Sequence, residues 1–423
     1  LPISLRDELV EIYEAAVASL AGDRLVREHL AARRAELPKA PTEIVAIALG
    51  KAAGAMAQGA VDVLGPLGGV AVGPTGISAP PGFEVVPGDH PVPGPRSIRA
   101  GFRLLSFVRS IRRNQTALVL LSGGGSALAE ALPAALSLPE LAQTTKLLLA
   151  AGAPIEEMNV LRKHLSRVKG GRLAAACTAA RGEILAISDV EGDDLGTIAS
   201  GPFTPDPSTY ADARAIVAAR GLEASLPTQV TAWLRGERDE SPKPGNPIFD
   251  RWTSAVLAGP ASLAEAARRE GEARGFRVIS STGFSKGLVE DVARGYGSWL
   301  DESPGKRVLL VSAGEPTVHL PPHPGRGGRS QQLGLLMAGE FDRRRATDAA
   351  FLAAGSDGRD GMSNNAGAVV DAATAERGRA QGFDLEDAIR MAASSAACDA
   401  VGASIPAFDS RTNVADLHLL AVG

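Results

Sequence analysis

Six short apolar runs, at 44–49, 117–121, 184–187, 255–257, 308–311 and 351–354, constrain this chain more than any other feature. Each is continuous rather than alternating, and each is followed by a glycine-bearing turn and then a helical pattern. Continuous hydrophobicity over so few residues belongs to strands buried on both faces, as in a parallel sheet covered by helices. Strand and helix in repeated alternation predict an α/β fold.

One helix is legible in detail. Ser137 and Glu140 form a capping box, and Pro139 is tolerated in the first turn. Leu138, Leu141, Ala142, Thr145, Leu148 and Leu149 then share one face, and Gly152 with Pro154 ends the helix. A second helix is expected to begin near Ile155. The stretch 235–250 is charged, carries Pro242, Pro244, Pro247, Gly236 and Gly245, and has almost no apolar content. It is the expected boundary between a larger first domain, 1–240, and a smaller second domain, 241–423, whose last residues are candidates to pack back on the first.

Composition removes several function classes. Length 423 suggests two or three domains. The 44 basic and 48 acidic residues leave a formal net charge of −4, so no global basic field draws nucleic acid. At 4% aromatic content the chain also lacks the rings of a base-stacking platform. Cys177 and Cys398 cannot by themselves make a disulfide framework or a zinc site, which fits a reducing cytoplasm. Arg6, Asp7, Glu8, Glu11 and Glu14 would spoil the core of a signal peptide, and no apolar run is long enough to span a bilayer. A cytoplasmic protein without a membrane partner is expected.

The chemistry concentrates in loops after the strands. Ser122-Gly123-Gly124-Gly125-Ser126 directly follows the run at 117–121, and three glycines there let backbone amides approach a phosphate or carboxylate. A tight turn is the plainer reading, but three glycines between two serines exceed what a turn needs. Lys51 ends the first strand, where α/β sheets place ligands. The usual nucleotide signatures are absent: Gly50-Lys51-Ala52 lacks the rest of a Walker A motif, and no G-x-G-x-x-G occurs at 123–128 or 295–300.

Arg162, Lys163, His164, Arg167, Lys169 and Arg172 form the densest cationic stretch, with no acidic residue between 158 and 182. On a helix Arg162, Ser166 and Lys169 would share one face. Most of these charges are expected to be solvated, with Asn159, Arg162 and Lys163 the exceptions, facing an anionic substrate. Asp189 and Asp193 follow the run at 184–187, and Asp357 follows that at 351–354. Carboxylates at strand ends suit Mg²⁺, which takes one or two of them beside substrate phosphates, although solvated turn acids look the same in sequence. Glu315 closes another strand. Arg329 opens an apolar helix behind a glycine-rich segment, and a nearby anion would explain a cation at that end of a helix dipole. His90 reads as a turn histidine.

Ten segments in order resemble one family. They are Ala48-Leu49-Gly50-Lys51-Ala52-Ala53, Gly88-Asp89-His90-Pro91-Val92-Pro93, Leu121-Ser122-Gly123-Gly124-Gly125-Ser126-Ala127 and Asn159-Val160-Leu161-Arg162-Lys163-His164-Leu165-Ser166. Lys169-Gly170-Gly171-Arg172-Leu173-Ala174, Ile187-Ser188-Asp189-Val190, Ala199-Ser200-Gly201-Pro202 and Gly327-Gly328-Arg329-Ser330-Gln331-Gln332-Leu333 follow. Gly355-Ser356-Asp357-Gly358-Arg359-Asp360-Gly361 and Thr412-Asn413-Val414-Ala415-Asp416-Leu417 complete the set. Together they resemble the two-domain, MOFRL-containing glycerate kinases of the glycerate 2-kinase type. The sequence departs from that pattern at Ser356, at Met362-Ser363-Asn364-Asn365 and at Ser410-Arg411.

The resemblance implies a Rossmann-like N-terminal domain with a mostly parallel sheet, a smaller MOFRL-like α/β domain and an active site in the cleft between them. It implies ATP-dependent phosphorylation of D-glycerate to 2-phosphoglycerate with Mg²⁺, and a homodimer is a candidate assembly. The important lysine and arginine map onto Lys51 and Arg329. Asp189 joins them as a catalytic candidate, with Asp193 beside it for the metal. Ser122, Gly123, Gly124, Gly125, Ser126, Asn159, Arg162, Lys163, Glu315 and Asp357 are the expected substrate and nucleotide contacts. Some members of the family are labelled hydroxypyruvate reductases. That NAD(P)H-dependent reading needs a nicotinamide site, and the dinucleotide fingerprint is missing.

Overall fold

In the computed structural model, which describes residues 3–38, 43–236, 240–281, 283–302 and 305–423, the apolar runs become strands of two sheets. The first contains β1 (Ile44–Leu49), β2 (Gly68–Gly73), β3 (Phe83–Pro87), β4 (Thr116–Leu121), β5 (Arg181–Ile187) and β6 (Trp252–Ala258), in the order β3-β2-β1-β4-β5-β6. Pairing from β3 through β5 is parallel, as the continuous hydrophobicity predicts. Parallel register brings Leu49 beside Leu121, so the loops that follow β1 and β4 leave the sheet at one edge.

The second sheet contains β7 (Arg277–Ser280), β8 (Val308–Gly314), β9 (Ala349–Gly355), β10 (Asn365–Asp371), β11 (Ser404–Pro406) and β12 (Asp416–Val422), ordered β11-β10-β9-β12-β8-β7. Only the β7–β8 pair is parallel; the other pairs are antiparallel. The expectation of parallel strands therefore fails at 308–311 and 351–354. Every residue of β8 and β9 is buried, because the helices Leu5–Ser19, Pro260–Ala273 and Arg329–Arg344 all pack on this sheet. Burial on both faces produces the unbroken apolar pattern, whatever the strand direction.

The chain forms two compact units. One is Gly22–Leu257; the other joins Leu1–Ala21 to Ala258–Gly423. This differs from the boundary read at 240/241. The proline-rich stretch belongs to the first unit, where Asp206 accepts the Ser241 hydroxyl at 2.7 Å and donates its own amide to Pro242 O at 2.9 Å; residues 237–239 lie outside the described residues. The last residues form β12, between β8 and β9 in the second sheet. It is the first helix that crosses over in sequence: Tyr13 is buried and donates its hydroxyl to Gly355 O at 2.7 Å, and Arg307 grips Glu8 with two bonds of 2.8 Å.

Helix limits hold better, although the buried face of the Leu138–Ala150 helix runs through Leu141, Thr144 and Leu148 and leaves Ala142 and Leu149 exposed. The Leu138–Ala150 helix starts after Ser137, whose amide donates to Glu140 Oε2 at 2.7 Å, and the next helix is Ile155–His164. These two pack with Tyr210–Ala219 and Thr228–Arg235 around Leu141, Leu148, Leu161, Val217 and Val230. No helix among the described residues is long and apolar enough to cross a membrane.

Candidate functional site

In the first unit the chain leaves β1 through Gly50, at φ 129°, a conformation that side chains rarely adopt. A Cβ there would lie 2.2 Å from Ser122 Oγ. Ser122 Oγ accepts the Ala52 amide at 3.0 Å, and the Lys51 amide donates to Gly123 O at 3.0 Å. The lysine loop and the glycine loop are thus stitched together. Gly124 is left-handed at φ 82°, and a Cβ on it would meet Lys51 Cγ at 3.1 Å and His90 Nε2 at 3.3 Å. His90 therefore stands beside Lys51 across the bare face of Gly124, more than its reading as a turn residue implied. Among the described residues, the amides of Gly124, Gly125 and Ser126 donate to no carbonyl in a turn, loop or cap.

Ser126 continues the site inward. Its Oγ lies 2.5 Å from Ser200 Oγ, which in turn reaches Asn159 Oδ1 at 3.5 Å. Ser200 is fully buried, and it sits in a run of left-handed residues, Ala199, Ser200 and Gly201, at φ 52°, 59° and 61°. Two non-glycine residues in that region cost about 1–3 kcal/mol each and persist only where surrounding contacts impose them. Sequence reasoning passed over Ser200; its only signal was its place in a family-like segment.

The basic stretch divides sharply. The Ile155–His164 helix ends before Ser166 and Lys169, so the expected shared face with Arg162 does not exist. Lys169 and Glu130 form a buried ion pair, and Ser166 Oγ donates to the same carboxylate at 2.5 Å. Lys163, expected to face substrate, points instead at the fully buried Asp206 at 3.4 Å. Burial opposes the Asp206 charge, but the Ser208 and Ser241 hydroxyls and Lys163 hold its carboxyl below the ordinary range. These partners lie far away in sequence, which is why the stretch looked unpaired. Arg162 is different: it is half-buried and has no hydrogen bond or ion pair among the described residues. Burial lowers its pKa, with Glu130 acting in the other direction. Three residues after Asn159, it lies on the same side of the helix.

Asp189 is half-buried after β5. Asp193, at φ 56°, has one carboxylate oxygen, Oδ1, shielded from solvent and without a hydrogen bond among the described residues. No group of three or more His, Cys, Asp or Glu among the described residues has the geometry to hold a metal unaided. Two carboxylates with one orphaned oxygen do fit an ion that takes its other ligands from phosphates and water. A cavity of about 360 Å³ lies elsewhere in this unit, bordered by Ser166, Arg167, Arg172, Tyr210 and Trp233. It is not lined by Lys51, the glycine loop, Asn159 or Arg162, and the strand-end groups define the better candidate.

The second unit builds an acidic counterpart. Asp416 begins β12 opposite Gly314 of β8 and Gly355 of β9. Arg329, first residue of its helix, donates to Asp416 through Nε at 2.6 Å and Nη2 at 3.0 Å, and pairs with Glu315 at 2.8 Å. About a third of its side chain remains accessible, at 33%. Burial works against its charge, but Asp416 and Glu315 prevail and raise its pKa well above the ordinary value. The anion that explains an arginine at this helix start is therefore internal. Asp360 accepts the Ser330 and Gln331 amides at 3.0 and 2.8 Å. Burial, with the Asp416 charge, raises its pKa to about 7 against the pull of those amides and Arg329. Asp357 accepts the Arg359 amide at 3.0 Å. Asp416 and Asp360 were visible in the quoted segments but carried no role until the fold brought them to Arg329.

Known proteins match both units. Residues 8–235 fit a domain family described as of unknown function, DUF4147, and residues 308–416 fit the MOFRL family. A protein of Thermotoga maritima named D-glycerate 2-kinase is 34% identical, over 98% of each chain. A protein of Agrobacterium vitis that carries a hydroxypyruvate reductase name is 33% identical, over 100% of this chain and 95% of that one. The crystal structure of glycerate kinase from Thermotoga maritima superposes with a TM-score of 0.83 at 32% identity, covering 100% of both chains.

Proposed function

The chain belongs to the glycerate kinase family that joins a DUF4147 region to a MOFRL region, and from that premise we propose that it transfers the terminal phosphoryl group of ATP to the 2-hydroxyl of D-glycerate. A bond forms between the glycerate 2-oxygen and the γ-phosphorus, the bond to the β-phosphate oxygen breaks, ADP leaves and the hydroxyl proton is released to solvent. Such transfer asks for positioned cations more than for covalent participation.

The observation that carries this reading is Arg162, a guanidinium without a protein partner among the described residues, on the helix that holds Asn159 against Ser200 and Ser126. In this proposal Arg162 takes the glycerate carboxylate, and the Ser122–Ser126 loop lends its amides to the carboxylate or a phosphate. Lys51 stabilises the charge developing on the moving phosphoryl group, and Arg329, held by Glu315 and Asp416, supplies a second cation. Asp189 orients the hydroxyl. Asp189 and Asp193 would hold Mg²⁺, which when bound neutralises phosphate charge.

Incubation with ATP, Mg²⁺ and D-glycerate, followed by phosphorus NMR, tests the assignment. A 2-phosphoglycerate signal is expected; a 3-phosphoglycerate signal would correct the regiochemistry, and no phosphorylated product would end the proposal. The name of the Agrobacterium relative favours a second reading, reduction of hydroxypyruvate. Oxidation of reduced nicotinamide cofactor with hydroxypyruvate, absent ATP turnover, would support it instead.

A further inference from the structure

We propose that Asp360 is a positioning residue for Arg329, clamping the backbone of the residue whose guanidinium Glu315 and Asp416 hold; the proposal rests on the phosphoryl role given to Arg329 above. The first amides of a helix have no partner within it, and an N-cap side chain normally serves them. Here the N-cap is Gly328, which has no side chain. The carboxylate of Asp360 fills that place from a different loop, with Oδ1 on the Ser330 amide at 3.0 Å and Oδ2 on the Gln331 amide at 2.8 Å. A Cβ on Gly328 would lie 2.2 Å from Asp360 Cγ, so the glycine is what admits the borrowed cap.

The borrowed cap is itself anchored. The Asp360 amide donates to Asn365 O at 2.8 Å, at the start of β10, and Ser363 Oγ donates to Asp360 O at 2.7 Å. Met362 returns a bond to Gly327 O at 3.0 Å, just ahead of the helix. The loop between β9 and β10 thus grips the helix on both sides of Gly328. Arg329 is the next residue, and its guanidinium meets Asp416, whose strand partner is Gly355 at the end of β9. One strand end consequently leads to both supports of this arginine: Asp360 at its root through the β9–β10 loop, and Asp416 at its head through pairing. A cap supplied locally would steady the helix equally well, but it would not tie the helix start to that strand end.

The test uses the full chain in a steady-state glycerate phosphorylation assay with thermal unfolding alongside. Asp360→Asn keeps one acceptor oxygen and should lower kcat about tenfold, and Asp360→Ala about a hundredfold, with both KM values nearly unchanged. The decisive comparison is a double-mutant cycle with Arg329→Ala. If Asp360 acts through the arginine, Asp360→Asn with Arg329→Ala is no slower than Arg329→Ala alone. Asp384 supplies a control: it caps the Leu385–Arg390 helix by accepting the Glu386 and Asp387 amides. Asp384→Ala should lower Tm while kcat stays at the wild-type value. Multiplicative losses in the cycle, or a wild-type kcat for Asp360→Asn, would overturn the positioning role; should Asp360→Ala fail to fold, the Asn cycle decides alone. Wild-type turnover by Arg329→Ala would instead remove the arginine from the reaction, a separate and recognisable failure.

Discussion

The two units set their polar groups at the same kind of place, the edge where buried strands end, and equip it in opposite ways. At the β1–β4 edge of the first unit Lys51 and His90 flank a bare glycine, and Arg162, on the helix of Asn159, makes no hydrogen bond or ion pair among the described residues. At the β8–β9 edge of the second, Arg329 is answered twice, by Glu315 and by Asp416. The number of charges in a segment therefore says little about which are available. The stretch 162–172 held several cations, yet Lys163 and Lys169 are consumed by Asp206 and Glu130, and partner-by-partner accounting leaves the guanidinium groups of Arg162, Arg167 and Arg172 without an ion pair among the described residues, Arg162 being the one on the helix of Asn159.

That contrast breaks first at Lys51. Lys51→Ala should lower kcat about a thousandfold with the thermal transition unchanged, in line with loss of a pre-positioned charge in a phosphoryl-transfer site. A rate within a few fold of wild type would mean that the first edge is not the reactive one. Next comes Lys169, a cation of the same stretch that serves structure. Lys169→Ala leaves Glu130 buried without its partner and should destabilise the first unit by about 3–5 kcal/mol, read by denaturant unfolding. Arg162→Ala should do the reverse. Unfolding would hardly change, while KM for D-glycerate would rise about tenfold to a hundredfold, the value of one charge-assisted contact. Equal stability losses at 162 and 169 would erase the distinction between them.

The smallest effect belongs to the second unit and to acid. His418 is fully buried on β12, with Nδ1 2.9 Å from the Tyr296 hydroxyl; burial lowers its pKa to about 4, the Asp416 charge acting against that and Arg329 with it. A folded-state pKa below the unfolded value near 6.5 means that the unfolded chain binds the proton more readily. Its contribution to stability is present above pH 6.5 and is lost as the pH falls toward 4. His418→Gln should therefore flatten the acid side of a Tm-against-pH curve by a few degrees, with Asp360, whose raised pKa acts in the opposite sense, still in place. An unchanged acid limb would remove His418 from that account.

The parts of this fold that local pattern could disclose were those with one strong local cause. The Leu138–Ala150 helix was readable because Ser137, Pro139 and Glu140 mark its start within four residues. The runs at 44–49 and 117–121 were readable because both faces of those strands are covered. β2 and β3 escaped notice, one opening on glycines and the other carrying exposed Glu84 and Val85. At the site, Lys51 and the glycine loop followed from their position after strands, whereas Ser200 depended on a strained backbone and Asp360 on a cap supplied across a loop.

Sequence alone determined the α/β class, the lysine and glycine loops at strand ends, and the ordered segments that tie the chain to its family, since each depends on neighbours within a dozen residues. Tertiary structure alone decided the direction of the second sheet, the crossing of the first helix into the later unit and which cations of 162–172 are paired. Those outcomes depend on which groups, distant in sequence, share one low-dielectric neighbourhood. A charge there is silenced or left active by partners that no local window contains.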